Sequence, residues 1–194
     1  MQTASILEIG TEDRGELPEA LRVFIDRLSA RPGAKALNFM VEELARLNPT
    51  RALLEDWIQP DSVVYSRNCF YRDQDFEALV LTWQSGQRSP IHNHRGSSCA
   101  VYVVEGVASE ILFEKSPHGV YYPNRTEHFP AGTSCGSYDQ EIHQIANLQQ
   151  RGQDLISLHV YSPPLKAMDL FSLSQSTFAD YDDLLIRSSR RAAA

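Results

Sequence analysis

The sequence predicts a mainly β protein, an antiparallel sandwich or barrel, with a helical segment packed on it at the N-terminal side. Two observations carry this. Beyond Pro60, short strand-like segments follow one another between turn residues, the signature of an antiparallel all-β architecture. Before Pro60, apolar residues instead recur at helical spacing. At 194 residues the chain suits one domain with an extension and can bury a substantial core. Its 42% hydrophobic and 22% charged content is ordinary for a soluble globular protein. The net charge of −7 speaks against a nucleic-acid grip, which needs a basic face. No apolar run reaches the length of a membrane span, and MQTASILEIGTED lacks the basic start and apolar core of a secretory signal. Cys69, Cys99 and Cys135 are odd in number and not paired in spacing, so no disulfide framework is expected and a reducing cytoplasm is the natural setting.

In order along the chain, residues 1–14 read as a loose lead-in. Leu17, Leu21, Phe24, Ile25 and Leu28 make one helical stripe, with Pro18 suited to the first turn, where its missing N–H does no harm. Arg31-Pro32-Gly33 ends that helix. Leu37, Met40, Val41, Leu44 and Leu47 mark a second helix, and a short third covers 50–58 with Leu53, Leu54, Trp57 and Ile58. Packing against the main body is the expected role of these stripes. Strands follow at 62–66, 77–84, 99–104, 107–115, 119–123, 141–147 and 155–161. The turns between them are marked by Ser85-Gly86, Glu105-Gly106, His118-Gly119, Pro123-Asn124 and Arg151-Gly152. From about 166 a weak helical pattern runs through Leu184 into the basic tail RSSRRAAA, which reads as solvated and frayed. The expected division is therefore 1–60 as a helical extension, 61–165 as the β barrel and 166–194 as a C-terminal segment.

The chemistry concentrates in GQRSPIHNHRGSSCAVYVVEG, residues 86–106. On an extended strand side chains alternate faces, so His92 and His94 project to the same side, about 6–7 Å apart. Such a pair can close on a metal ion if a third ligand arrives from elsewhere, and imidazole suits iron, zinc, copper and nickel alike. Of the other histidines, His118 lies in a turn and His128 precedes Phe129-Pro130-Ala131-Gly132, a loop pattern, so both read as surface or core residues. His143 sits in the short strand EIHQIAN with Asn147 four residues on. The histidine pair with its glycines, and Pro130-x-Gly132…His143-x-x-x-Asn147, resemble the two motifs of the cupin superfamily. The resemblance implies a cupin double-stranded antiparallel β-barrel, jelly-roll-like, with a metal inside. The ten residues between Gly132 and His143 depart from the usual cupin spacing, leaving either a longer hairpin or an accidental Pro-Gly match. Many cupins carry a glutamate ligand where this chain has Cys99. Whether Cys99 faces the metal depends on how Gly96-Ser97-Ser98 turns, since five residues from His94 would reverse its facing on a regular strand.

Further on, SLHVYSPP puts Ser157, His159 and Tyr161 on one strand face and Ile156, Leu158 and Val160 on the other. Tyr65-Ser66-Arg67-Asn68 likewise puts Tyr65 and Arg67 on one side. Together, YSRN, WxxGxxSxIHxH, the position of Cys99, His143-x-x-x-Asn147 and SLHVYSPP are similar to the cysteine dioxygenases, the thiol dioxygenases of the cupin superfamily. The match covers roughly 60–165 and is nearest the bacterial, arginine-containing subgroup. It implies Fe(II) on His92, His94 and His143; Arg67 holding a substrate carboxylate with Tyr65 lining that end; and a cysteine at Cys99, where many bacterial relatives have glycine, that can become joined by a thioether to Tyr161. It also implies that Tyr161 is hydrogen-bonded by His159 with Ser157 completing the network, that Ser162-Pro163 is cis, and that the chain is a monomer. Trp83 matches a family position with core packing as its expected job, and Asn93 replaces the family's common aspartate, pointing away from the metal. Relatives acting on 3-mercaptopropionate usually carry glutamine in place of Arg67, so the arginine favours cysteine.

These residues suit that chemistry. Three neutral imidazoles leave a ferrous charge uncompensated, so a substrate thiolate is a welcome ligand. Oxidising a thiol to a sulfinate removes four electrons and O2 accepts four. No further reductant is needed, and no nucleotide-binding fingerprint suggests one. The expected partners are a small-molecule thiol and O2, with neither nucleic acid nor membrane. Rival readings are the same chemistry on 3-mercaptopropionate or another small thiol, a zinc or nickel cupin of another reaction class, and a small-molecule binding cupin without catalysis.

Overall fold

The structure is a computed structural model that describes residues 17–173. The expected lead-in, the frayed tail and the helical pattern beyond 173 fall outside the described residues. Helix α1 (Glu19–Ser29) buries Leu21, Phe24, Ile25 and Leu28, and α2 (Leu37–Leu47) buries Leu37, Met40 and Leu44. A 3-10 helix, Ala52–Trp57, follows with Leu54 inside. Pro18 occupies the N-cap rather than the first turn, accepting the N–H of Arg22 on its carbonyl at 3.0 Å. The helical stripes thus sit where the periodicity put them, each hiding one face against the body of the protein.

Among the described residues ten strands follow: β1 (Ser66–Arg72), β2 (Glu77–Trp83), β3 (Ile91–His92), β4 (Ser98–Glu105), β5 (Val107–Lys115), β6 (Tyr121–Pro130), β7 (Ser134–Ser137), β8 (His143–Ala146), β9 (Leu155–Ser162) and β10 (Leu170–Phe171). They form two five-stranded antiparallel sheets, ordered β1-β2-β9-β4-β7 (sheet A) and β10-β3-β8-β5-β6 (sheet B). The fold is mainly β, a double-stranded β-helix in which the two sheets face each other across a shared interior. Among the described residues no helix is long and apolar enough to cross a membrane.

Alternation on sheet A separates two cores. Ala78, Val80, Ala100, Tyr102, Ile156, Leu158 and Val160 pack outward with the helices. Leu79, Leu81, Trp83, Cys99, Val103, Leu155 and Tyr161 pack inward. Strands β2 and β9 are consequently buried along their whole lengths. Close approach of α2 to this sheet needs Gly136 on β7, where an added Cβ would lie 2.6 Å from Leu37 Cδ1. Gly106 alone links β4 to β5, at φ 80° and with the Asp154 carbonyl where a Cβ would stand.

Several expected boundaries move, each for a local reason. The first strand begins at Ser66, not at 62, because Asp61 Oδ1 accepts the N–H groups of Val63 (2.7 Å) and Val64 (3.2 Å) and holds that stretch as a turn. Pro123-Asn124 is no turn. It is a bulge inside β6, where Leu112 pairs with Arg125 but Phe113 with Pro123. An edge strand tolerates the missing N–H of Pro123. The hairpin turn lies earlier, at Ser116–Val120. His128 is on β6 rather than in a loop, with its ring exposed. The described part of the weak helical pattern after 166 is extended, because Leu170 and Phe171 pair with His92 and Ile91. Strand β7 accounts for the long spacing after Pro130-x-Gly132: Ser134–Ser137 crosses to sheet A before the chain returns to His143.

Candidate metal centre

His92, His94 and His143 are all buried, and each offers one ligand atom to a group whose members lie within 4.8 Å of one another. His92 and His143 face each other directly across the β3–β8 pair. The strand expected to carry both residues of the H-x-H ends at His92, so His94 lies just beyond it. It is placed by its N–H on the Asp139 carbonyl (3.0 Å) and by a turn in which Arg95 and Gly96 both have positive φ, 40° and 95°. That turn resets the alternation, so Cys99 also faces inward.

Hydrogen bonds settle which nitrogens face the centre. His92 Nδ1 donates to the Pro90 carbonyl at 2.9 Å, and His143 Nδ1 donates to Glu110 Oε1 at 2.7 Å. In the neutral rings this leaves Nε2 of each with a free lone pair. His94 Nε2 stands 3.2 Å from His143 Nε2, while His94 Nδ1 is buried without a partner. Two imidazole nitrogens so close repel unless a proton or a cation lies between them. Burial first, and then the neighbouring His143, hold His92 and His94 well below the usual histidine range, so both are neutral and ready to ligate at pH 7. The donor set therefore fits a divalent transition metal: three convergent imidazoles with no carboxylate in the group. Cys99 is not part of it.

Cys99 instead belongs to a second group on sheet A. It pairs in register with Tyr161 across β4 and β9. Its sulfur lies 3.7 Å from His159 Nδ1, and the Tyr161 hydroxyl lies 3.5 Å from the same nitrogen. Ser157 Oγ is 2.9 Å from His159 Nε2 and accepts the indole N–H of Trp83 at 3.1 Å. Burial, with Arg67 and His143 adding like charge, lowers His159 to about 3, so this ring is neutral. Burial raises the Cys99 thiol above its ordinary value. The polar face of β9 therefore points into the interior and its polar atoms find one another.

Tyr65, Arg67 and Tyr161 line the same cavity as the three histidines. The Arg67 guanidinium lies 5.5 Å from the Tyr161 ring centroid, and its charge reaches His92, His94 and His159. Tyr65 stacks on Trp83 with centroids 4.0 Å apart and planes 11° from parallel. The Tyr161 ring stands edge-on to His94 at 5.3 Å. Ser162-Pro163 is cis. His118 and His128 are exposed and away from the site.

Three residues do more than the sequence suggested. Trp83 is not packing alone, since its N–H ends the Ser157–His159 chain. Asn93 points away from the metal group, yet its amide and the Asp169 carboxylate and backbone make reciprocal contacts at 3.1–3.2 Å, tying the segment before β10 to the ligand loop. Glu110 went unmarked, although an acidic residue on the inward face with Ala108 was a visible anomaly. Asn147 is buried and structural, donating to the carbonyls of Trp83 (2.9 Å) and Gln153 (2.8 Å).

Comparison with known proteins places the fold and the family. A crystal structure of an uncharacterised conserved protein with a double-stranded β-helix domain from Klebsiella pneumoniae superposes with a TM-score of 0.50 at 17% identity, covering 60% of this chain and 87% of that one, a likeness of fold. The zebrafish (Danio rerio) protein named cysteine dioxygenase type 1 is 27% identical over 170 residues, 79% of this chain and 80% of that protein. The human protein of the same name is 29% identical over 118 residues, and there the match spans 57% of each chain. The cysteine dioxygenase type I family pattern matches residues 43–174, which take in all three histidines, Arg67, Cys99 and Tyr161. By that match over well more than half its length, the chain belongs to the cysteine dioxygenase type I family.

Proposed function

We propose that this chain is an iron-dependent thiol dioxygenase that oxidises L-cysteine with O2 to cysteine sulfinate. The observation that carries the reading is a three-histidine group facing the same cavity as a guanidinium. His92, His94 and His143 would hold Fe(II), which would supply redox chemistry for oxidising a thiol with O2. The reaction balances without another reductant: RSH and O2 give RSO2H, four electrons leaving sulfur and four reaching oxygen.

The remaining roles belong to this chain's side chains. Arg67 receives the substrate carboxylate, since a planar guanidinium can donate two parallel hydrogen bonds to it. Tyr65, held against Trp83, closes that end of the site. Tyr161 offers its hydroxyl to the substrate amine or to the incoming oxygen, while neutral His159, braced by Ser157, fixes where that hydroxyl points. Leu81, Val101 and Ile145 give the cavity an apolar wall that limits water. Cys99 and Tyr161, neighbours across two strands, form the thioether: an S–H and a ring C–H are lost, a C–S bond forms, and O2 takes the two electrons and two protons to become H2O2, leaving the chain two hydrogens lighter. Arg67 favours cysteine over 3-mercaptopropionate and matches the arginine-containing bacterial subgroup. The reducing cytoplasm fits a protein whose three cysteines form no disulfide.

Metal analysis combined with O2 uptake tests this. The expected result is one iron per chain, O2 consumed one-for-one with cysteine, and a higher kcat/KM on cysteine than on 3-mercaptopropionate. Cysteine sulfinate absent from an iron-loaded sample would overturn the reading.

A further inference from the structure

The three histidines differ in what holds their outer nitrogens. His92 leans on a backbone carbonyl, His94 Nδ1 has no partner, and His143 alone among them leans on a carboxylate, Glu110. The contact is built into the sheet. On the β5–β8 pair His143 stands opposite Leu112, and Glu110 is two residues from Leu112 on the same face, the diagonal position a long side chain can span. A 2.7 Å bond from an N–H to a carboxylate fixes both the tautomer and the ring plane of His143. It also sets a carboxylate one residue out from a site whose own three donors are all imidazoles.

We infer that Glu110 is a positioning residue for the metal: it orients His143, keeps its Nε2 free of a proton, and partly compensates the charge of a bound divalent cation. The inference rests on the reading of His92, His94 and His143 as a metal site. It explains how a three-histidine site can hold a dication with no carboxylate in direct contact. It also assigns a job to an acidic residue, 14% exposed at its side chain, on the wall of the cavity that the three histidines line.

Co(II) binding to the full-length apoprotein, measured by competition with a chelator and by the visible spectrum of the bound ion, tests both statements separately. Wild type should bind one Co(II) and His143→Ala should lose it. Glu110→Gln, which keeps shape and an acceptor but drops the charge, should bind about 10-fold more weakly, and Glu110→Ala up to about 100-fold more weakly. Both should shift the Co(II) absorption bands while the apoproteins unfold at wild-type temperature. If Glu110→Ala binds Co(II) as tightly as wild type, with the same spectrum, while His143→Ala does not, the role of Glu110 is overturned and the metal site stands. Equal binding by wild type and His143→Ala would instead overturn the metal site itself. Should Glu110→Ala fail to fold, the isosteric Glu110→Gln decides: wild-type affinity and spectrum in that variant reject the proposal.

Discussion

Strand β9 is buried over all eight of its residues, whereas β6, at the edge of sheet B, is exposed over most of its length. The contrast extends to the whole sheets. Sheet A is covered outside by helices and inside by the cavity, and its central β2–β9 pair keeps one register from Glu77–Tyr161 to Trp83–Leu155. Sheet B contributes the metal group from a two-residue strand, a turn and a four-residue strand. Regular pleating therefore aims the residues proposed to handle substrate (Arg67, Ser157, His159, Tyr161), while irregular backbone lets three rings from separate places meet at one point. A long strand fixes direction but cannot bring neighbouring side chains of one strand together, because same-face residues stay about 6–7 Å apart. A turn can.

This division can be broken from the sheet A side without touching the metal. Arg67→Gln should lower kcat/KM for cysteine on the order of 100-fold, the worth of a charged paired contact, while iron content stays at the wild-type level. Parallel loss of iron and activity would show that the two sheets do not act separately. Trp83→Phe removes the N–H on Ser157 and should cost about 1 kcal/mol, roughly a five-fold fall in kcat at unchanged iron content. An unchanged kcat would leave Trp83 as packing alone. Val160→Ala, on the outward face of β9, sharpens the comparison from the opposite direction. It should destabilise the fold by about 2–3 kcal/mol in denaturant titration, yet leave activity per folded molecule within two-fold, because the helices rather than the cavity lose a contact. A larger fall in activity would mean that the packing of the outer core controls the inner site.

Sequence reading succeeded where spacing and period are local. The amphipathic stripes of α1 and α2 and the alternation in SLHVYSPP each depend only on neighbours along the chain, and the structure follows them. It failed where pairing overrides propensity. Ser134-Cys135-Gly136-Ser137 has little intrinsic strand preference and becomes β7 only because the Cys99 strand offers it partners. Pro123-Asn124 looks like a turn and is a bulge because β5 continues alongside it.

By itself, then, the sequence determined the mainly β fold class, the shared strand face of Ser157, His159 and Tyr161 and the H-x-H pair His92 and His94, since these follow from residue type and short-range period, while the family resemblance added His143. The tertiary structure alone decided that His94 reaches the others from beyond a strand end, that the turn after His94 lets Cys99 face inward outside the metal group, and that Glu110 rests on His143. The pairings behind these placements join strands far apart in the chain, and the register of two sheets closing on one another is a property of their packing, not of any local run of residues.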